Sequence, residues 1–324
     1  MCTAATYQTK DFYFGRNLDL EYSYHETVTV TPRNFPLPFR CRESLQQHYA
    51  IIGMAYVADG YPLYYDATNE KGLSMAGLNF EGNTCYFSPL EGRDNITPFE
   101  FTPWILGQCA DLQQARKLLE QVNLVNIPFN EELPLSQLHW MIADKSGCLV
   151  VESMVDGFHV YDNPLGVLTN NPPFEMQMLH LGDYMALSNQ PAVNRMCPHV
   201  DLTAYSRGMG AMGLPGDLSS ASRFVRSAFV RNNSASGQTE GESISQFFHI
   251  LGSVEQQRGC VQMEDGRYEI TVYSSCCNTD RGIYYYTAYE NSQITGVDMH
   301  REDLDSDQLV SYPLLEQQQI RMEN

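Results

Sequence analysis

Cys2 directly follows Met1, and cysteine is small enough for Met1 to be removed. Removal leaves a thiol and a free α-amine on one residue. An α-amine has an ordinary pKa near ~8. It can act as the base for its own thiol nucleophile, so no histidine partner is needed. Amide hydrolysis by a thiol needs a nucleophile, a base, donors for the oxyanion, and groups that favour the charged thiol. Cys2 supplies the first two. Arginine beside a thiol favours the thiolate, and Arg16 and Arg223 are the candidates. A carboxylate near the amine can orient it and hold a proton, and Asp19 is the candidate for that role. Asn79 and Asn170 are candidate oxyanion donors. Taken singly, each has an ordinary structural explanation. Arg16 and Asp19 read as a hairpin ion pair, the asparagines as turn-formers, and Arg223 as a solvated helix residue.

The elements that must position these groups follow from the local patterns. Residues 3–8 and 11–14 read as strands around a Thr9-Lys10 turn. Val28–Val30, Tyr49–Val57, Tyr61–Asp66 and Leu73–Leu78 follow, with Asn69-Glu70-Lys71-Gly72 as a turn. The first seventy-nine residues therefore predict one sheet of hairpins. Thr97-Pro98 starts a helix over Phe99–Cys109. Asp111 with Gln114 caps a second, whose apolar face carries Leu112, Ala115, Leu118, Leu119 and Val122. Strands return at Leu138–Ala143, Leu149–Ser153 and Phe158–Tyr161. A short helix over 174–187 precedes an aperiodic segment, 188–218. Ser219 or Ser220 caps the helix that carries Arg223. Asn232–Gly241 reads as a linker, and Ser243 with Gln246 as the cap of another helix. Tyr268–Ser274, Gly282–Tyr289 and Ile294–Met299 close the chain as strands. No βαβ alternation occurs. The order predicts an α+β fold of two antiparallel sheets between helix layers, with 1–324 as a single domain.

Composition narrows the function classes. There are 20 basic and 39 acidic residues, a net charge of −19. No basic run marks a nucleic-acid surface, and an anionic membrane repels such a chain. No apolar run approaches the roughly 18 residues of a membrane span. The nine cysteines are odd in number and irregular in spacing. With no signal-like opening segment, they predict reduced thiols in a cytoplasmic protein. No histidine spacing suits a metal, and no phosphate-binding glycine motif is present. No cofactor is expected.

The candidates lie within an ordered series of motifs. Met1-Cys2-Thr3, Phe14-Gly15-Arg16-Asn17-Leu18-Asp19 and Thr31-Pro32-Arg33-Asn34-Phe35 come first. Asn69–Leu73, Ala76-Gly77-Leu78-Asn79-Phe80 and Leu138-His139-Trp140-Met141 follow. Gly166–Pro172, Gly213–Asp217, Ala221-Ser222-Arg223-Phe224 and Gly282–Tyr286 complete the series. Together they closely resemble the choloylglycine hydrolase family, which comprises conjugated bile acid hydrolases and penicillin V acylases. The resemblance implies the four-layer αββα N-terminal-nucleophile hydrolase fold. It implies Cys2 as nucleophile, Arg16 and Asp19 as its neighbours, Asn79 and Asn170 at the oxyanion, and Arg223 completing the cluster. Asn rather than Tyr at position 79 favours conjugated bile salts over penicillin V. A steroid needs an apolar pocket, for which loop residues near the site are candidates: Leu18, Tyr22 and Tyr24; Val57, Ala58 and Tyr61; Ile127, Phe129 and Leu135. The resemblance further implies a bacterial cytoplasmic homotetramer with 188–218 as its assembly arm. Competing readings are a penicillin V or other N-acyl amide hydrolase, such as an acyl homoserine lactone acylase, and a non-catalytic protein that binds anions.

Overall fold

The computed structural model describes residues 1–324. In chain order its strands are β1 (Cys2–Gln8), β2 (Phe12–Leu20), β3 (Thr27–Thr31), β4 (Ile51–Ala58), β5 (Tyr61–Asn69), β6 (Ser74–Asn79), β7 (Asp94–Ile96), β8 (Val122–Leu124), β9 (Leu138–Asp144), β10 (Gly147–Met154), β11 (Gly157–Asp162), β12 (Val167–Leu168), β13 (Ile270–Asn278), β14 (Ile283–Ala288), β15 (Asn291–Asp298) and β16 (Val310–Pro313). The helices are α1 (Pro98–Gln108), α2 (Leu112–Leu119), α3 (Phe174–Leu181), α4 (Ser220–Asn233) and α5 (Glu240–Gly252).

A six-stranded sheet runs β12-β1-β2-β13-β14-β15, and an eight-stranded sheet runs β11-β10-β9-β6-β5-β4-β3-β16. Every pairing in both is antiparallel. α4 and α5 cover the first sheet, and α1 and α2 the second. The predicted αββα layering is therefore present. It explains the unbroken apolar run in β4, which is buried on both faces. Ile52 and Met54 join the core between the sheets, whereas Ile51 joins the core beneath α1 and α2. Gly15 shows how closely the strands meet. A Cβ there would lie 2.0 Å from the carbonyl oxygen of Ser275 on β13, so no other residue fits without moving backbone.

Several local expectations are corrected. The first seventy-nine residues do not form one sheet. β2 pairs with β13, and the chain then crosses so that β3–β6 build the other sheet. β2 itself continues to Leu20, well past the predicted end at residue 14. Ser243 is not a helix cap. Thr239 caps α5, with Glu242 reciprocating in a capping box, and Ser243 lies inside the helix. Val122 lies beyond α2, in β8. Asp111 caps α2 as expected, accepting from the Gln114 nitrogen at 2.8 Å, but Gln114 Oε1 accepts from the Ala110 nitrogen and so does not close a capping box at Asp111. The short strands β7, β8, β12 and β16 carry too few residues to show a period.

Candidate active site

Cys2 opens β1 and pairs with Leu18 of β2. Its main-chain nitrogen donates to Asn170 Oδ1 at 2.7 Å, and its carbonyl accepts from Arg223 Nη1 at 2.6 Å. With Met1 in place, the Cys2 residue is 3% exposed. The Met1 ammonium donates to the Asp19 carbonyl at 2.7 Å and pairs with the Glu269 carboxylate. Burial lowers the pKa of that ammonium, against the attraction of Cys2 and Asp19. Met1 thus occupies the ground directly beside the nucleophile.

Arg16 and Asp19 are fully buried on β2 but form no hairpin ion pair with each other. Arg16 Nη1 donates to the carbonyls of Tyr65, at 3.0 Å, and Gly77, at 2.5 Å, reaching across to β5 and β6. Its Nη2 is buried without a partner. Burial opposes the Arg16 charge, yet Cys2, Tyr273, Asp66 and Asp19 outweigh it and raise the guanidinium pKa. Asp19 Oδ1 accepts from Thr271 Oγ1 at 2.6 Å, and Oδ2 faces Arg223 Nη1 at 3.8 Å. Burial pushes the Asp19 carboxyl up, opposed first by Arg223 and then by the terminal ammonium. The same burial pushes Arg223 down, opposed by Asp19 and Cys2.

Arg223 is not a solvated helix residue. It is fully buried on the face of α4 that meets β1, and Ser219 caps that helix by accepting from the Ser222 nitrogen. Every nitrogen of its fork donates. Nη1 also donates to Thr3 Oγ1 at 2.6 Å, Nη2 to Asn170 Oδ1 at 2.8 Å, and Nε to the Leu218 carbonyl at 3.2 Å. Asn170 follows β12, and its main-chain nitrogen donates to Ser220 Oγ at 2.8 Å. Its Nδ2 donates to the Asn79 carbonyl at 2.7 Å, which leaves one amide hydrogen unused. Asn79 closes β6 with its side chain exposed. Cys2, Asn170, Arg223 and Asp19 are thus joined by direct contacts. Asn79 is tied to them through its carbonyl, and Arg16 is fixed to the strand that carries Asn79 through the Gly77 carbonyl.

The apolar candidates are more scattered. Leu18 is buried in the core between the sheets, not on a loop. Tyr22 and Tyr24 follow β2 half-exposed, with hydroxyls 2.7 Å apart and rings 4.8 Å apart. Tyr61, Phe99 and Phe129 form an aromatic cluster with centroid spacings of 5.1–6.1 Å. Val57, Ala58 and Tyr61 flank the β4–β5 turn, and Ile127 and Leu135 lie half-buried on the loop after β8. A cavity of about 750 Å³ is lined by Arg33, Glu70, Lys71 and other polar residues and by none of these candidates. Glu269, Thr271 and Gln177 escape a reading of the sequence, since a lone Glu, Thr or Gln carries no pattern. The β-bulge between Thr271 and Tyr273 aims Thr271 at Asp19, and no sequence signal marks it.

The sequence model of the family described as linear amide C-N hydrolases, choloylglycine hydrolase family, matches residues 2–312. The chain is 57% identical to a bile salt hydrolase/transferase of Lactiplantibacillus plantarum over 97% of each sequence. It is 38% identical to a bile salt hydrolase/transferase of Clostridium perfringens over 96% of each. Among solved structures, a mutant conjugated bile acid hydrolase from Clostridium perfringens superposes with a TM-score of 0.93 at 37% identity, covering 100% of both chains. A penicillin V acylase from Agrobacterium tumefaciens superposes with a TM-score of 0.75 at 19% identity over 96% of this chain and 90% of the other, a likeness of fold. The matched length and the identity to these relatives establish that this chain belongs to the choloylglycine hydrolase family of linear amide C-N hydrolases.

Proposed function

We propose that this protein hydrolyses the amide bond of glycine- or taurine-conjugated bile acids, with Cys2 as nucleophile once Met1 is removed. The observation that carries the reading is the shared grip on Cys2 and Asn170. Arg223 holds the Cys2 carbonyl and Asn170 Oδ1, and Asn170 Oδ1 in turn takes the hydrogen bond of the Cys2 nitrogen. A freed α-amine anchored there keeps its lone pair for the thiol. The relatives' names supply the substrate class.

The reaction runs in two halves. Cys2 sulfur attacks the amide carbon while the α-amine takes the thiol proton. The negative oxygen is stabilised by the free amide hydrogen of Asn170 and by the exposed side chain of Asn79. The α-amine returns its proton to the leaving amino group, and the C–N bond breaks to give a thioester. Water, deprotonated by the same amine, then cleaves the thioester and regenerates the thiol. Asp19 holds the ammonium form between these steps. Arg16 offers its unpartnered Nη2 to the developing charge beside Cys2. The tyrosines after β2 and the Tyr61–Phe99–Phe129 cluster offer apolar walls for the steroid, with Leu18, Val57, Ala58, Ile127 and Leu135 beside them.

The proposal extends to organisation. Residues 1–324 act as one catalytic domain in the cytoplasm, and 188–218 serves as the arm of a homotetramer. Val193, Met196, Leu202 and Tyr205 stand exposed on that arm, as an unpaired assembly surface would. No helix is long and apolar enough to cross a membrane.

Purified protein incubated with glycocholate and taurocholate is expected to release glycine and taurine, and Cys2→Ala to release neither. Protein made with its methionine aminopeptidase inhibited retains Met1 and is expected to fold without activity. Release by the Met1-retaining form at the normal rate would defeat the mechanism. Light scattering on the eluted protein tests the tetramer.

A further inference from the structure

His139 and Glu152 lie outside the cluster around Cys2, on β9 and β10, and both side chains are 0% exposed. His139 Nδ1 is 3.0 Å from Glu152 Oε1, and Nε2 is 2.8 Å from the carbonyl of Thr169. A carbonyl only accepts, so Nε2 carries a hydrogen. Nδ1 and Oε1 then face each other within hydrogen-bond distance. Glu152 Oε1 also accepts from the Phe174 nitrogen at 3.0 Å. Its Oε2 is buried with no partner. Apolar residues of similar volume usually fill such a place with equal or greater stability. What the pair touches gives a reason for its presence. Thr169 directly precedes Asn170. The His139 ring stacks on Phe80, which directly follows Asn79, with centroids 4.3 Å apart and planes 4° apart. Phe174 begins α3, so Glu152 holds the far end of the segment that carries Asn170. Gln177 Nε2 completes the hold by donating to the Asn170 carbonyl at 2.7 Å.

We propose that the buried His139–Glu152 pair positions both oxyanion asparagines of this enzyme, fixing Asn170 through the Thr169 carbonyl and Asn79 through the stack on Phe80. The inference rests on the oxyanion role given above to Asn79 and Asn170. Neither His139 nor Glu152 touches the reacting atoms; they are positioning residues. Displacing such a donor by ~1 Å is enough to lower a rate by about 10².

The test uses glycocholate hydrolysis together with alkylation of Cys2 by iodoacetamide, a reaction that forms no oxyanion. The double variant His139→Phe, Glu152→Leu replaces the whole pair by apolar side chains and leaves no unpaired buried charge. Its kcat is expected to fall by about 10², while KM and the alkylation rate stay within about threefold. Glu152→Gln places a single amide atom where Oε1 serves both Nδ1 and the Phe174 nitrogen, so it can keep one of those bonds but not both, and its kcat is expected to fall between wild type and the double variant. Phe80→Leu retains the pair, loosens Asn79 alone and lowers kcat about tenfold; it gives the answer should the double variant not fold. The inference is overturned if kcat survives both changes, or if alkylation falls in parallel with kcat, which would place the effect on Cys2 itself. Wild type and Asn170→Ala are run alongside. An inactive wild type, or an Asn170→Ala variant with full rate, overturns the underlying mechanism as well; normal behaviour of both confines a failure to the positioning role.

Discussion

Thr271 Oγ1 donates to Asp19 Oδ1 at 2.6 Å, and this is the sole hydrogen bond made by the Asp19 carboxylate. The bond crosses from β13 to β2 where the register between the strands shifts. Burial already raises the Asp19 pKa, against Arg223 and the terminal ammonium. Thr271→Val keeps the shape and removes the donor. A buried charged acceptor left without its bond costs about 1–3 kcal/mol, and the loss favours the protonated form. An ionised Asp19 is lost as pH falls through its folded pKa, so raising that pKa moves the acid limb of the kcat/KM profile to higher pH. Thr271→Val is expected to show that shift and Thr271→Ser to reverse it. An unmoved acid limb would remove Asp19 ionisation from the rate.

Arg223 is the second lever. A lysine keeps the charge but lacks the planar fork that serves the Cys2 carbonyl, Thr3 and Asn170 together. Arg223→Lys is expected to fold and to lose about 10² in kcat, the scale of one oxyanion donor. Arg223→Leu strands Asp19 without its counter-charge and is expected to destabilise the fold by about 3–5 kcal/mol. Denaturant titration and steady-state kinetics on both variants separate the two effects.

These partners also show what the sequence could reveal. The ordered motifs placed Cys2, Arg16, Asp19, Asn79, Asn170 and Arg223 in one family pattern. The order of strand blocks and helix blocks, without βαβ alternation, predicts two sheets between helix layers. What stayed hidden depends on long-range pairing. Whether β2 pairs with β3 or with β13 is decided over 250 residues of intervening chain, and nothing local to Leu20 records it. Burial of Arg223 follows from which face of α4 meets β1, whereas its neighbours Ser222 and Phe224 read the same on either face. The helix start at Thr239 is masked in the sequence because Ser243 and Gln246 offer the same chemical signature one turn later. The steroid-pocket candidates were hardest, since apolar loop residues carry no period and their cores and pockets look alike.

The thiols separate by environment. Cys41 and Cys260 are exposed, whereas Cys109, Cys148, Cys276 and Cys277 are buried. Burial, with Asp111 adding to it, pushes Cys109 up to about 12. Burial does the same to Cys277, also to about 12, with Thr68 opposing and Asp66 adding. Reactivity follows thiolate fraction and access. Iodoacetamide at neutral pH is expected to label Cys41 and Cys260 in the native protein and to spare those four. Cys2 is expected to be labelled rapidly when Met1 is absent and slowly when Met1 remains, because Met1 covers it. Peptide mass spectrometry of the two preparations reads this directly. Equal labelling of Cys2 in both would show that Met1 does not shield the nucleophile.

Asp217 governs the start of the helix that carries Arg223. Its Oδ1 accepts from the Ser219 nitrogen at 3.0 Å and its Oδ2 from Ser222 Oγ at 2.6 Å. The Ser219 and Ser222 hydrogen bonds pull the carboxyl down to about 2. A carboxyl depressed in the fold lends stability above its unfolded value, near ~3.9. That stability is lost as pH falls from there through about 2. An exposed anion at a helix N-terminus is worth about 0.3–1 kcal/mol. Asp217→Asn is therefore expected to unfold at a lower temperature than wild type at pH 6. The gap should narrow between pH 4 and pH 2, where wild type loses the same charge, and be screened by salt throughout. A gap that stays constant with pH would show that the geometry of the hydrogen bonds, not the charge of Asp217, holds α4 and with it Arg223.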